Sequence, residues 1–188
     1  MFFDELDQFL DGFRKRNLAD SEEKRPQEDE DIIDELLDLY LLAFYEGSKD
    51  AGKELMMDVE PSVEDAEKVI NRPIAGKTFR ERVTDYLNGD MGQTTGTPAE
   101  AIARVAETDS VRIYNESKLE TAKRLGATKK TWHTMGDDKV RALHEVLDGV
   151  SAPIDGYFYT YTGDRAMQPG GFTDPEGNVN CRCFIKVN

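Results

Sequence analysis

The side chains best suited to chemistry lie in the last third of the 188-residue chain. His144, Cys181 and Cys183 offer an imidazole and two thiols, which are common zinc ligands in proteins. Three more residues are candidates for the fourth ligand that a zinc site requires: Asp137, Asp148 and His133. A Cys-x-Cys pair with a distant histidine is less specific for zinc than two Cys-x-x-Cys pairs. Two interpretations therefore stay open, a zinc site and a pair of buried reduced thiols, and we favour the thiols.

The spacing of the two cysteines limits how they can be used. In a β-strand, side chains two residues apart share a face, so Cys181 and Cys183 point to one side and Arg182 to the other. If that side faces inward, both thiols can approach His144. Two neighbours on one face of a strand do not easily reach disulfide geometry. Arg182 is then free to pair with Asp137 or another carboxylate.

Catalytic uses of these side chains have weaker support in the sequence. A cysteine beside a histidine can act as a nucleophile, but no residue pattern indicates a matching oxyanion site. Asp137 and Asp138 could pair as acid and base, but aspartates at a helix start are explained by capping and the helix dipole. The sequence contains no Walker loop, G-x-G-x-x-G or H-E-x-x-H motif. We therefore predict a protein that is not an enzyme and has no cofactor, with zinc as the one candidate.

Secondary-structure patterns predict the elements that position these residues. A helix over residues 137–148 would place four side chains in a polar stripe beside its apolar face: Asp137, Arg141, His144 and Asp148. His144 would then lie at the boundary between the core and the charged groups. Gly149 is the expected end of this helix.

Strands and an irregular loop are predicted around this helix. Runs rich in aromatic and β-branched residues predict three strands, over residues 128–133, 157–162 and 183–187. Trp132, the only tryptophan, should fill the core of the small domain. Three tyrosines share one face of the second strand, which would suit a protein contact: Tyr157, Tyr159 and Tyr161. Glycines and prolines predict a long irregular loop over residues 163–177.

The N-terminal half is predicted to be helical. Residues 1–13 have apolar side chains at helical spacing, and we expect this amphipathic helix to pack on its own protein rather than in a partner's groove. Residues 14–31 are charged and predict a mobile linker. A 3.6-residue apolar period predicts a long helix over residues 30–57 that is covered on more than one side. Two shorter helices should follow. The first should begin after Ser62, its N-cap, and end near Ile70, and the second should extend over residues 77–87.

A loop with three glycines at residues 88–96 is predicted to be the hinge between two halves of the chain. A threonine, a proline and a glutamate then form the capping pattern of a second long helix: Thr97, Pro98 and Glu100. This helix should end near Gly126. Two of its residues, three positions apart, are predicted to form a solvated ion pair: Asp109 and Arg112.

The predicted elements define an α+β fold. A mainly helical N-terminal half with a long central helix precedes a small mixed domain with a short antiparallel sheet. We divide the chain into three regions. They are an N-terminal amphipathic segment and acidic linker at residues 1–31, a helical region at residues 32–96 and a C-terminal domain at residues 97–188.

Charge is distributed unevenly along the chain, whose formal net charge is −14. Residues 1–75 carry 22 acidic and 9 basic side chains, whereas residues 76–188 carry 16 and 15. Because nucleic-acid binding depends on Lys and Arg at the phosphates, we expect no direct DNA binding through the acidic half. No apolar run approaches the ~20 residues that cross a bilayer, and the N-terminus lacks the basic region of a signal peptide. We therefore expect a protein of the reducing cytoplasm that does not enter membranes.

The order of residues near the C-terminus resembles a known family. Trp132 is followed by Asp-x-x-Val-Arg-x-x-His at residues 137–144, then by Leu-Asp-Gly, a Gly/Pro-rich loop and Asn-Cys-Arg-Cys at residues 180–183. Seven residues carry this motif: Trp132, Asp137, Arg141, His144, Asn180, Cys181 and Cys183. The order, with residues 106–112 and Asn115 upstream, resembles the phage Mu F-like minor head proteins, also called the phage head morphogenesis family. The resemblance covers roughly residues 97–188.

The resemblance implies a minor capsid protein of a tailed bacteriophage. Such a protein lies inside the procapsid, contacts the portal and the capsid or scaffold proteins, and acts in head assembly or genome delivery. It would belong to the virion, in the capsid interior, and to the host cytoplasm during assembly. One alternative is a small metal-dependent enzyme or toxin-like domain that uses His144, Cys181 and Cys183. Another is an interaction adaptor that self-associates through the predicted helix at residues 30–57.

Overall fold

A computed structural model describes residues 2–16, 18, 26–92 and 94–188. Within these ranges the chain forms seven helices: α1 (Phe2–Arg14), α2 (Pro26–Leu55), α3 (Val63–Ile70), α4 (Phe79–Leu87), α5 (Pro98–Arg124), α6 (Ala142–Glu145) and α7 (Pro175–Asn178). It also forms five strands: β1 (Lys129–His133), β2 (Ser151–Pro153), β3 (Phe158–Tyr159), β4 (Arg165–Ala166) and β5 (Phe184–Val187). The predicted α+β fold is confirmed. None of the helices in these ranges combines the length and the apolar character needed to cross a membrane.

Helix α5 is the central element, and it packs against α1, α2, α3, α4 and β5. Its start follows from the local sequence. The Thr97 hydroxyl accepts a hydrogen bond from the Glu100 N–H, and the Glu100 carboxylate accepts one from the Thr97 N–H, at 2.8 Å. Gly126 follows the helix with φ +85°, the left-handed conformation that commonly ends a helix. The second predicted long helix and its capping box are therefore confirmed.

Helix α1 covers part of α5. It buries four apolar side chains on one face: Phe2, Leu6, Leu10 and Phe13. The ring of Phe2 stacks on that of Tyr114 in α5, with 5.1 Å between their centroids. The expectation that the amphipathic N-terminal segment packs on its own protein is confirmed.

The long helix predicted over residues 30–57 is present as α2, but it begins at Pro26. The prediction that residues 14–31 form one linker is therefore wrong at its C-terminal end. Proline at the first helical position, with Glu28 and Asp29 in the first turn, favours a helix start. Residues 17 and 19–25 of the predicted linker lie outside the described residues.

Two hydrophobic clusters form the core of the described chain. The larger joins side chains of α1 to α5, which lie on both sides of the loop at residues 88–96. The smaller includes Trp132, Leu147, Phe158 and Ile185. Trp132 is fully buried, so its predicted place in the core is confirmed.

The sheet has the strand order β2-β1-β5 and is antiparallel throughout. Trp132 lies opposite Ile185 of β5. Strands β3 and β4 pair separately as a short hairpin. The strand predicted over residues 157–162 is shorter, since β3 has two residues. Strand β2 was not predicted, because its three residues include a proline and show no clear alternation.

The helix predicted over residues 137–148 is wrong. The Asp137 carboxylate accepts a hydrogen bond from the Lys139 N–H at 3.2 Å, within a turn. A short side chain that bonds the backbone two residues ahead competes with helix formation. Only α6 is helical here, and its N-cap, Arg141, has no side-chain capping bond. The polar stripe and the capping role expected of Asp137 are therefore wrong as well.

The prediction of a solvated ion pair between Asp109 and Arg112 is also wrong, since both residues are buried. Asp109 accepts a hydrogen bond of 2.6 Å from Arg82 of α4. Arg112 donates to the Glu116 carboxylate at 3.0 Å, one helical turn ahead. Because α5 is covered on several sides, residues three positions apart contact different neighbours.

Candidate functional site

Three of the predicted metal ligands come together in the structure. His144 Nδ1 lies 3.7 Å from Cys181 Sγ and 3.5 Å from Cys183 Sγ. All three residues are buried, and their ligand atoms lie within 4.8 Å of one another. Among the described residues, no other three His, Cys, Asp or Glu side chains form such a group. We call these three residues the His–Cys–Cys cluster.

The three candidates for a fourth ligand have other contacts. His133 stacks on Phe184, with 5.5 Å between the ring centroids. Asp148 accepts a hydrogen bond of 2.7 Å from the Thr134 N–H. Asp137 forms the predicted ion pair with Arg182 at 3.2 Å. Of the three, Asp137 also borders a small cavity that adjoins the cluster.

Aromatic side chains fix the orientation of the His144 ring. Phe172 stacks on it at 5.6 Å and 16° between the ring planes, and Trp132 contacts it edge-on at 5.7 Å. The His144 Nε2 and Trp132 Nε1 atoms are buried and have no hydrogen-bond partner in the described chain. Held between the two rings, the imidazole presents Nδ1 to both sulfur atoms.

Helix α5 positions the strand that follows Cys183. The Asn115 side-chain amide donates to the Cys183 C=O, and its oxygen accepts from the Ile185 N–H, both at 3.0 Å. Asn115 itself is fully buried. One side chain of α5 therefore fixes the backbone on both sides of Phe184.

The segment that leads into the cysteines is held by Arg141. Its guanidinium donates to the backbone C=O of Glu176, at 2.6 Å, and to that of Val179. Asn180 follows with φ +53°, a left-handed conformation that asparagine adopts more readily than most residues. The motif residues thus surround the cluster, although they come from three separate stretches of chain.

The two thiols differ in their protonation. A hydrogen bond from Cys183 lowers the pKa of Cys181 well below its usual value; burial opposes this shift, and His144 adds to it. The same hydrogen bond, together with burial, raises the pKa of Cys183. The pair therefore favours one thiolate and one thiol. Both cysteines are free and buried, so solution reagents have little access to them.

A buried polar network along α5 was missed at the sequence level. Its members are Arg82 with Asp109, Arg112 with Glu116, and Lys118, which donates to Glu54 at 2.8 Å. The only sequence signal is that polar residues occur on every side of α5, so that no solvent face can be assigned.

Comparison with known proteins connects this architecture with a family. The model of the family described as phage Mu protein F like protein matches residues 64–186. The match begins within α3, well upstream of residue 97, where the motif resemblance begins. No curated protein and no solved structure matches the chain.

Proposed function

The chain belongs to the phage Mu protein F like family, a family of phage head morphogenesis proteins, and we propose that it is a minor capsid protein of a tailed bacteriophage. It acts inside the procapsid, in contact with the portal, in head assembly or genome delivery. The family match over residues 64–186 carries this proposal, because it extends from α3 into β5 and includes every motif residue. The family consists of structural head proteins, so the proposal includes no enzyme activity.

An exposed group of tyrosines supports a docking role. Tyr157, Tyr159 and Tyr161 form this tyrosine patch and are 40%, 60% and 68% exposed. Phe158 and Thr160 between them are buried, so the three rings lie on the solvent side of the hairpin, as predicted. Tyrosine is enriched in protein interfaces, because it buries a large area with few rotatable bonds. We infer that the tyrosine patch contacts the portal.

The charge distribution supports a protein partner rather than DNA for the N-terminal half. Residues 1–75 carry 22 acidic and 9 basic side chains, and this excess of negative charge repels phosphate backbones. A partner with a basic surface would be attracted over the same range of ionic strength. Binding to portal or scaffold proteins should therefore weaken as salt is added.

Co-purification with the portal protein of the same phage tests the tyrosine patch. Replacing all three tyrosines by serine should abolish co-purification but leave thermal unfolding nearly unchanged, because the side chains are exposed. Val63→Ser is the matched control, since it removes an apolar side chain that is 59% exposed on α3. Portal binding by the triple variant equal to that of the wild type would exclude the patch as the contact.

Imaging of procapsids tests the wider proposal. Procapsids assembled with the protein should show internal density at the portal vertex, and those assembled without it should lack that density. A protein absent from purified procapsids would contradict the proposed function. Deleting residues 1–57 would be a poor test, because α1 and α2 supply much of the larger hydrophobic cluster and the variant would be misfolded.

A further inference from the structure

We propose that the His–Cys–Cys cluster binds one zinc ion, which joins α6 to the C-terminal segment. The proposal is independent of the capsid role, because it rests on the placement of three ligand atoms. The structure favours zinc over the pair of reduced thiols that the sequence alone favours, for three reasons: ligand spacing, room for a fourth ligand, and ligands that the surrounding chain already holds in place.

The ligand spacing matches a zinc tetrahedron. Zinc binds thiolate sulfur at ~2.3 Å and imidazole nitrogen at ~2.0–2.1 Å, which separates nitrogen and sulfur by about 3.6 Å at tetrahedral angles. The separations from His144 Nδ1 to the two Sγ atoms are 3.7 and 3.5 Å. Both nitrogen–sulfur separations therefore match those that one shared ion requires, and the three ligand atoms lie within 4.8 Å of one another.

A cavity of about 10 Å³ adjoins the cluster and provides the fourth position. Roughly 10–15 Å³ accommodates one water molecule. Asp137 and Asn180 border this cavity, so it has polar partners for a bound water. The fourth ligand is a water molecule beside the Asp137 carboxylate. Since the cavity has no room for a substrate, the site is structural rather than catalytic.

The chain orients the three ligands through separate contacts. Phe172 and Trp132 fix the His144 ring, and Asn115 fixes the backbone at Cys183. Arg141 holds the backbone that leads to Cys181. Metal sites commonly depend on such supporting contacts, which keep each ligand in its binding orientation.

The ion would stabilise a part of the chain that has little regular structure. Between β3 and β5 the described elements are the two-residue β4 and the four-residue α7. His144 is 37 residues from Cys181 and 39 from Cys183, so the ion closes a long loop. Fixing both ends of such a loop removes much of the conformational freedom of the unfolded chain.

Metal analysis of the full chain tests the proposal. Protein purified without chelators or added metal should contain about one zinc per chain, since binding is coupled to folding. X-ray absorption should show two sulfur ligands at ~2.3 Å and two nitrogen or oxygen ligands at ~2.0 Å. Absence of zinc, both as purified and after dialysis against zinc sulfate, would overturn the proposal. Zinc bound without sulfur would overturn it too.

Variants locate the ion. Cys183→Ser and His144→Asn should each lose most of the zinc, whereas His133→Asn should keep it. His133 is the matched control, because it is the only other histidine and lies outside the cluster. Zinc retained in His144→Asn but lost in His133→Asn would refute the assignment.

Wild-type protein still gives a result if the ligand variants do not fold. Removing zinc with a chelator should make both thiols react with a thiol reagent on the order of tenfold faster, because the sulfur atoms lose their metal and the segment opens. Equal reaction rates with and without the chelator would contradict the proposal.

Discussion

Replacing Asn115 tests how the C-terminal strand is held. Its side-chain amide donates to the C=O of Val111, at 2.9 Å, and to the C=O of Cys183, and its oxygen accepts from the Ile185 N–H. The N–H and C=O of Trp132, opposite Ile185, bond Val150 and Gly149 on the β2 side. In an antiparallel ladder this means that the Ile185 N–H points away from β1. Asn115 therefore supplies hydrogen-bond partners to the Cys183 C=O and the Ile185 N–H, two backbone groups that would otherwise be buried without partners.

The cost of Asn115→Ala follows from those contacts. Two buried backbone groups of the terminal strand, the Cys183 C=O and the Ile185 N–H, lose their partner. Each buried backbone group without a partner costs roughly 1–3 kcal/mol. We therefore expect the substitution to lower the free energy of unfolding by about 3 kcal/mol. For a chain of this size, that loss lowers the thermal midpoint by about 6–12 °C.

Asn115→Asp separates hydrogen bonding from packing. Aspartate has nearly the same shape, but its carboxylate cannot donate to the C=O groups of Val111 and Cys183. It should destabilise the protein at least as much as alanine does. If side-chain volume were the main contribution, Asn115→Asp would instead be the milder change.

Urea and thermal denaturation, followed by circular dichroism and Trp132 fluorescence, measure these effects. Asn71→Ala is the control, because the Asn71 side chain donates to the Glu67 C=O at an exposed helix end. It should cost less than about 1 kcal/mol. The reasoning is refuted if Asn115→Ala costs no more than Asn71→Ala.

Other tests concern buried charge and chain accessibility. Arg82→Ala leaves the Asp109 carboxylate buried without its main ion-pair partner and should lower the free energy of unfolding by about 3–5 kcal/mol. Arg80→Ala breaks an exposed ion pair and should lower it by less than about 1 kcal/mol. Equal losses of stability in urea denaturation would contradict this. Burial lowers the pKa of Lys130 from 10.5 to about 8. The unfolded chain then binds more protons between these values, so stability should rise with pH in this window, and Lys130→Met should remove the rise. Limited proteolysis should cut the loop at residues 88–96 before it cuts within α5, and fragments from an early cut inside α5 in mass spectra would contradict this.

The helix starts could be predicted because their chemistry is local. The Thr97 and Glu100 side chains satisfy each other's backbone N–H groups, and Ser62 accepts from the Asp65 N–H in the same way. These contacts depend on residues at most three positions apart. The apolar periods of α1 and α2 are equally direct signals, since each helix has a consistent buried face.

The apolar pattern predicted a wrong structure where a side chain bonds a backbone N–H and so competes with helix formation. The apolar spacing of residues 137–148 fits a helix, but the Asp137 carboxylate bonds the Lys139 N–H and favours a turn. Burial of Asp109 and Arg112 was missed for a different reason. The partner of Asp109 is Arg82, which approaches it only once α4 and α5 are packed together. Arg112 pairs with Glu116 within α5, but its burial depends on the elements that cover this helix.

The sequence indicated which residues form the candidate site but not their distances. Cys181 and Cys183 are two residues apart, so their side chains can lie on the same face of a strand. His144 was a plausible partner from its residue type alone. Their approach to within 3.5–3.7 Å depends on Asn115 and Arg141, which bond backbone groups far away in sequence. Such side-chain to backbone contacts leave no periodic pattern.

Helices α1 and α2 lie outside the family match, but they pack on α5, which lies inside it. The match begins at residue 64, yet α5 is covered by α1 and α2. Helix α1 also reaches the C-terminal segment, since the Phe3 ring lies 6.1 Å from that of Phe184 and Asp7 lies 3.8 Å from Arg182. An apolar helix face needs a covering surface, so α1 and α2 complete the larger hydrophobic cluster around α5. Helix α5 in turn holds the strand that follows Cys183 through Asn115. Substitutions in α1 would therefore act first through the core, and a portal contact is better sought on exposed residues such as the tyrosine patch.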